Sequence, residues 1–374
     1  MDTNLDVIPA LRTNNRAKVA AGLGATLALL LVGRIALAHS TSQPLIPVQA
    51  STSPSNGDLN PYGLAVVPAK FPKGGSVASG QLLVSNFNNS SDDGNLQGQG
   101  TTIVIMDPST GNQIVVFFQG SAPIGFSNAL AVARAGFVFA GSVFTTTPDA
   151  SDPTAGPLLV LDRKGNLVDS ITTGTNGPWG LALNDKGKTA QLFVSNVFDG
   201  TVTRLEVTFA NGSFSVVGSP TTIASGYAFG LDAAALVVGP AGLAYDSKRD
   251  ILYVAAEDDN EIFAIASASK TATNGGKGSL IFSDSHLEGP VGLIIAPNGD
   301  LIAANADPDA HENPNNPSGL IEFTPAGKFV REFSIDPNQG AAFAILNVAV
   351  NGVNQFAYVD DFASTLTVLR LTTK

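Results

Sequence analysis

The sequence predicts an all-β fold, a six-bladed β-propeller built from four-stranded antiparallel blades and closed by an N-terminal strand. Three observations predict it. A turn followed by an apolar run, a second turn and a second apolar run recurs six times along 374 residues. Each copy continues into a third run, and the first five into a fourth. The runs are short, β-branched and aromatic, and bounded by Gly, Pro, Asn and Asp, as strands are.

The copies align on one position. "NPYGLAVVP" starts at Asn60, "GPWGLALND" at Gly177, "GPAGLAYDS" at Gly239 and "GPVGLIIAP" at Gly289. More degenerate copies start at Phe126 ("FSNALAVA") and Ala344 ("AILNVAVN"). Aligned on Leu64, Leu130, Leu181, Leu243, Leu293 and Val348, they are spaced by 66, 51, 62, 50 and 55 residues. The second runs are "GQLLVSNF", "GFVFAGSV", "AQLFVSNV", "DILYVAAE", "DLIAANAD" and "NQFAYVDD". Many runs are apolar on both faces, which suits sheets covered on both sides by neighbouring sheets. The sixth copy lacks a fourth strand, and "PLIPVQA" (residues 44–50) stands before the first copy where one is needed. It is expected to pair with the last blade, leaving no open edge.

Residues 1–38 are expected to be a secretory signal. Arg12, Arg16 and Lys18 precede an apolar run from Val19 to Val32, and Ala36-Leu37-Ala38 suits signal peptidase. Arg34 makes the apolar run shorter than a permanent span needs, so no stable membrane span is expected after processing. Residues 39–59 read as a linker around the closing strand, and residues 60–374 as the propeller. The protein is therefore expected to be exported, to the periplasm or beyond. A net charge of −11 argues against a nucleic-acid partner, which requires a basic face. The absence of Cys excludes disulfides, thiolate metal sites and a Cys nucleophile.

The pattern "PxGLA", then "G-x-L-(Y/F)-V-(A/S)-(N/D/E)", then a run ending near "(D/N)-x-x-G" resembles the NHL repeat. It is also similar to the wider TolB-like group of six-bladed propellers, including the SMP-30/gluconolactonase and strictosidine-synthase-like families. The resemblance spans residues 60–371 and speaks to fold more than activity. In SMP-30-like enzymes it implies a divalent metal held partly by Glu, Asn and Asp just before the strand-one glycine. Here that position reads Tyr62, Asn128, Trp179, Ala241, Val291 and Leu346, of which only Asn128 could ligate. Glu288 in "LEGPVG" falls too early in the repeat. His39, His286 and His311 are too few and too scattered for a zinc centre.

The expected ligand face carries these turn residues and the strand-two ends Asn86, Ser142, Asn196, Glu257, Asn305 and Asp361. Singly, such Asn and Asp residues cap turns. Together, they could ring a binding site of apolar contacts and a few orienting polar groups. Tyr62 and Trp179 either pack over the channel mouth or form a stacking platform. The loops at residues 86–100, 144–156 and 305–318 are long and polar, with oxygen ligands of the kind Ca²⁺ accepts. The expected function is a non-catalytic binding or interaction module for a small molecule, glycan or protein. Its site residues would be Tyr62, Asn86, Asn128, Trp179, Asn196, Glu257, Asn305 and Asp361, with no obligatory cofactor. The alternative is a Ca²⁺-dependent lactonase or esterase holding its metal with Glu257, Asn305, Asp307 and Asp361.

Overall fold

The computed structural model describes residues 45–306, 318–336, 340–350 and 352–371. The signal segment, its processing site, Asp307 and His311 lie outside the described residues. Six four-stranded antiparallel sheets form the propeller, and there is no helix among the described residues.

After a first strand, β1 (Leu45–Ser51), blade one comprises β2 (Leu59–Val66), β3 (Leu82–Asn88), β4 (Thr102–Met106) and β5 (Gln113–Gln119). Blade two is β6 (Phe126–Ala133), β7 (Phe137–Phe144), β8 (Thr154–Asp162) and β9 (Leu167–Ile171). Blade three is β10 (Pro178–Asp185), β11 (Thr189–Asn196), β12 (Thr201–Ala210) and β13 (Ser213–Ser225). A separate hairpin follows, β14 (Gly230–Asp232) and β15 (Leu236–Val238). Blade four is β16 (Pro240–Asp246), β17 (Ile251–Ala256), β18 (Glu261–Ala266) and β19 (Ser279–Phe282). Blade five is β20 (Pro290–Ile295), β21 (Leu301–Asn305), β22 (Ser318–Phe323) and β23 (Phe329–Asp336). Blade six has β24 (Ala342–Val350), β25 (Val353–Asp360), β26 (Thr365–Leu371) and, outermost, β1.

The apolar runs are doubly buried because successive side chains of a strand face opposite neighbours. In β3, Leu82 and Val84 join the cluster shared with blade six, whereas Leu83 joins the cluster shared with blade two. In β4, Val104 and Met106 separate from Ile103 and Ile105 in the same way. The inner strands touch their neighbours all round, β24 meeting β2.

The recurring glycine has a steric cause. A Cβ on Gly180 would lie 1.9 Å from the Ala241 carbonyl oxygen, and one on Gly292 2.3 Å from that of Phe343. Each inner strand thus presses on a backbone that has no room for a side chain. Buried hydroxyls stitch the same seam: Ser127 Oγ donates to the Pro178 carbonyl at 2.6 Å and Ser195 Oγ to that of Ala241 at 2.7 Å.

β1 runs antiparallel to β26, from Leu45↔Leu371 to Ser51↔Thr365. The chain leaving it reaches both neighbouring blades. Thr52 N and Oγ1 donate to the Ser364 carbonyl of blade six. Asp58 Oδ2 accepts from Thr101 N, Thr101 Oγ1 and Thr102 Oγ1 of blade one, at 2.7–2.9 Å.

Candidate functional site

A β-bulge interrupts the first strand pair of every blade, between Pro61 and Gly63, Phe126 and Leu130, Pro178 and Gly180, Pro240 and Leu243, Pro290 and Gly292, and Ala342 and Ile345. A bulge re-aims the residue it leaves unpaired. In four blades that residue is Tyr62, Trp179, Ala241 or Val291, and all four belong to one buried cluster. In blade six the bulge register corrects the expected Leu346 to Phe343, whose carbonyl also meets Gly292 as Ala241's meets Gly180.

These residues fill the axis. Tyr62 lies between Phe87, at 4.3 Å and 14°, and Phe343, at 3.9 Å and 15°, while Trp179 meets Tyr62 and Phe87 edge-on at 5.9 and 5.7 Å. Tyr62 and Trp179 are 2% and 1% exposed. In this structure they pack, and neither forms a platform open to solvent. Asn128 crosses the axis, its Nδ2 donating to the Val291 carbonyl of blade five at 3.2 Å.

The strand-two ends resolve into two rings, not one. Asn86, Ser142, Asn196, Ala256, Asn305 and Asp360 pair with the residue before the bulge. Their side chains serve the turns. Asn86 Nδ2 donates to the Thr52 carbonyl and Thr102 Oγ1. Asn196 Oδ1 accepts from Asn176 N, and its Nδ2 donates to Thr201 and Thr203. Asn305 Oδ1 accepts from Glu288 N, and its Nδ2 donates to the His286 carbonyl.

Glu257 and Asp361, expected in that ring, sit one residue further on. Their backbone N–H groups donate to Gly239 and Ala341, as those of Val143, Val197 and Ala306 do to Gly125, Gly177 and Gly289. This second ring reads Phe87, Val143, Val197, Glu257, Ala306 and Asp361. Its four apolar members belong to the axial cluster, so the two acids stand in an apolar ring, on blades four and six. Glu257 is 2% exposed. Asp361 is half-buried, but its Oδ1 is sealed off without a hydrogen-bond partner. With the Asn60 amide oriented nitrogen-inward, Asn60 donates to the Asp361 carbonyl at 3.0 Å and to Oδ2 at 3.2 Å.

Burial, reinforced by the charge of Asp360, raises the Asp361 carboxyl well above its ordinary range. Burial also pushes Asp360 up to about 6, with Asp336 adding repulsion. A raised carboxyl disfavours the ionised folded state. Well below pH 3.8 both carboxyls are protonated in both states. As pH rises, the unfolded chain ionises near 3.8 while the fold still holds the protons, so stability falls. For Asp360 the loss begins near pH 3.8 and runs up to about pH 6; Asp361 extends it upward. Urea midpoints across this range should fall in the parent and fall less in Asp360→Asn. Parallel curves would refute the assignment.

The metal set Glu257, Asn305, Asp307 and Asp361 is not assembled by the described residues. No group of three or more Asp, Glu or His able to hold a metal occurs among them. Asp307 lies outside them, and Asn305 is committed at both ends of its amide. His286 stacks on Phe329 and hydrogen-bonds Asp284.

Two features of the mouth were missed in the sequence. The β14–β15 hairpin puts Leu236 and Val237 into the axial cluster. Phe362, beside Asp361, is 67% exposed, and Leu231 and Phe229 of the hairpin segment are 69% and 48% exposed. Exposed apolar residues gathered on one face are a mark of binding surfaces, but singly they are ordinary in a sequence.

No family model and no curated protein matches the chain. Solved structures do. A gluconolactonase from Xanthomonas campestris superposes with a TM-score of 0.51 at 14% identity, covering 89% of this chain and 99% of its own. A putative gluconolactonase gives 0.51 at 12% identity, covering 88% and 94%. A calcium-binding regucalcin from Agrobacterium tumefaciens gives 0.47 at 12%, covering 84% and 91%. At such identities the likeness is one of fold, and the fold is the six-bladed β-propeller.

Proposed function

We propose that the protein is an exported, non-catalytic recognition module that binds a small molecule, glycan or protein at its mouth face. The observation that carries this reading is the packed axis. The bulge positions, where the resemblance would place metal ligands, are spent on an aromatic and aliphatic plug. The polar Asn128 is occupied by a backbone carbonyl. What faces outward at the mouth is a few exposed apolar side chains, Leu231 and Phe362 above all, with the half-buried Asp361 beside Phe362, the composition of a recognition surface. The test is a glycan, peptide and small-molecule array probed with the parent, Glu257→Gln and Phe362→Ala. Binding by the parent that weakens about tenfold or more in either variant supports the reading. Equal binding by all three contradicts it.

The second reading, a Ca²⁺-dependent lactonase or esterase, draws on the acids Glu257 and Asp361. The described residues supply no complete donor set for the ion, so no catalytic step follows from them. Export predicts that mature protein begins at or near His39. N-terminal sequencing that recovers intact Met1 from the cytosol would refute it.

A further inference from the structure

We propose that the β14–β15 hairpin is a movable lid over the axial site. This rests on the reading of the mouth face as the recognition surface.

The hairpin spans the ring. It leaves blade three and enters blade four, yet at its tip the Ala234 carbonyl accepts from Gln97 Nε2 of blade one at 2.9 Å. Blades one and four are opposite in a ring of six. Beneath it, Val237 is fully buried and Leu236 is 8% exposed, both in the cluster that contains Trp179. Above it, Leu231 faces solvent. The hairpin therefore seals the level at which Glu257 and Asp361 stand in the inner ring.

Its attachments are unequal. The base is held firmly: Tyr227 OH donates to the Lys277 carbonyl at 2.8 Å, Ala228 N donates to Asp259 Oδ2 at 3.0 Å, and Asp259 pairs with Lys277. The tip is tied to the opposite side of the ring through the Gln97 amide. Gly226, at φ 87°, precedes the base and Gly230 lies between base and tip; a Cβ on either would meet nothing within 4 Å.

Leu236 sits at φ 69°. That left-handed conformation strains a bulky side chain and persists only where packing imposes it. In the closed state, burial of Leu236 and Val237 opposes this strain. Opening releases the strain and exposes the apolar pair. Opposed contributions of this kind leave two states close in energy, and such low-stability segments are where access loops are found.

The chain supplies its own reporter. Trp179, the only Trp, belongs to the cluster under the hairpin. Acrylamide quenching of its fluorescence reads opening without any ligand, and amide exchange at residues 230–238 reads it at the hairpin. The parent should exchange faster at 230–238 than in β10–β12. Gln97→Ala, a change at a partly exposed residue, should raise both the quenching and that exchange several-fold, leaving β10–β12 unchanged. A hairpin as protected as β10–β12, or quenching and exchange unmoved by Gln97→Ala, overturns the lid. Because no ligand is used, the outcomes separate. Binding with a fixed hairpin removes the lid alone, and a moving hairpin with no ligand found removes the recognition reading alone.

Discussion

A chain that starts at Thr52 is expected to be less stable than one that starts at His39, by about 3 kcal/mol or more. The shorter chain loses the whole ladder between β1 and β26. β26 then becomes an outer strand with unpaired backbone groups, a template for association. It also loses a contact between blades, because Val48 lies against the turn at Gly111 of blade one, where an added Cβ would come within 2.7 Å of it. Urea denaturation of the two chains measures the difference. Coincident midpoints would show that the strand does not hold the ring together.

Trp179→Ala is expected to cost about 3–5 kcal/mol. The ring is 1% exposed and set edge-on against Tyr62 and Phe87, so its removal leaves a cavity at the axis and two aromatic contacts unmade. Trp179→Phe separates packing from polarity. The indole Nε1 is buried without an acceptor, so losing it removes a desolvated donor at no hydrogen-bond cost. The Phe variant should recover most of the lost stability. A Trp179→Ala protein as stable as the parent but unable to bind ligand would instead make Trp179 a contact residue.

The fold was legible because its signal repeats. One "PxGLA" is an ordinary turn and strand, but copies followed by three further runs leave few architectures. The glycine, proline and apolar positions of that motif are set by bulge geometry and by the close approach of the next blade, so they recur even where the rest of the repeat has drifted. The site was less legible, because it depends on single-residue register. Taking Leu346 for Phe343 in blade six followed from aligning on Val348, since the bulge there carries no "PxG" to mark it. Placing Glu257 and Asp361 in the ring of Asn86 was the same kind of slip. Strand two ends at Ala256 and Asp360, so each acid moves from a turn cap to the inner ring. The hairpin at 230–238 left only a weak trace, part of the 62-residue spacing from Leu181 to Leu243, because "GLDAAALVV" has the composition of a connection. Tyr62 and Trp179 were correctly paired as equivalent positions. Whether they faced solvent or each other was not in the sequence, because it depends on how closely opposite blades approach.

The central claim is that the axis is a packed plug beneath a recognition surface and not a catalytic centre. Elemental analysis of the purified protein, combined with a lactone and ester panel run with added Ca²⁺ and with chelator, on the parent and on Glu257→Gln, tests it most directly. The account predicts no stoichiometric ion and no turnover that depends on either metal or Glu257. A bound divalent ion together with turnover abolished by chelator and by Glu257→Gln would contradict it.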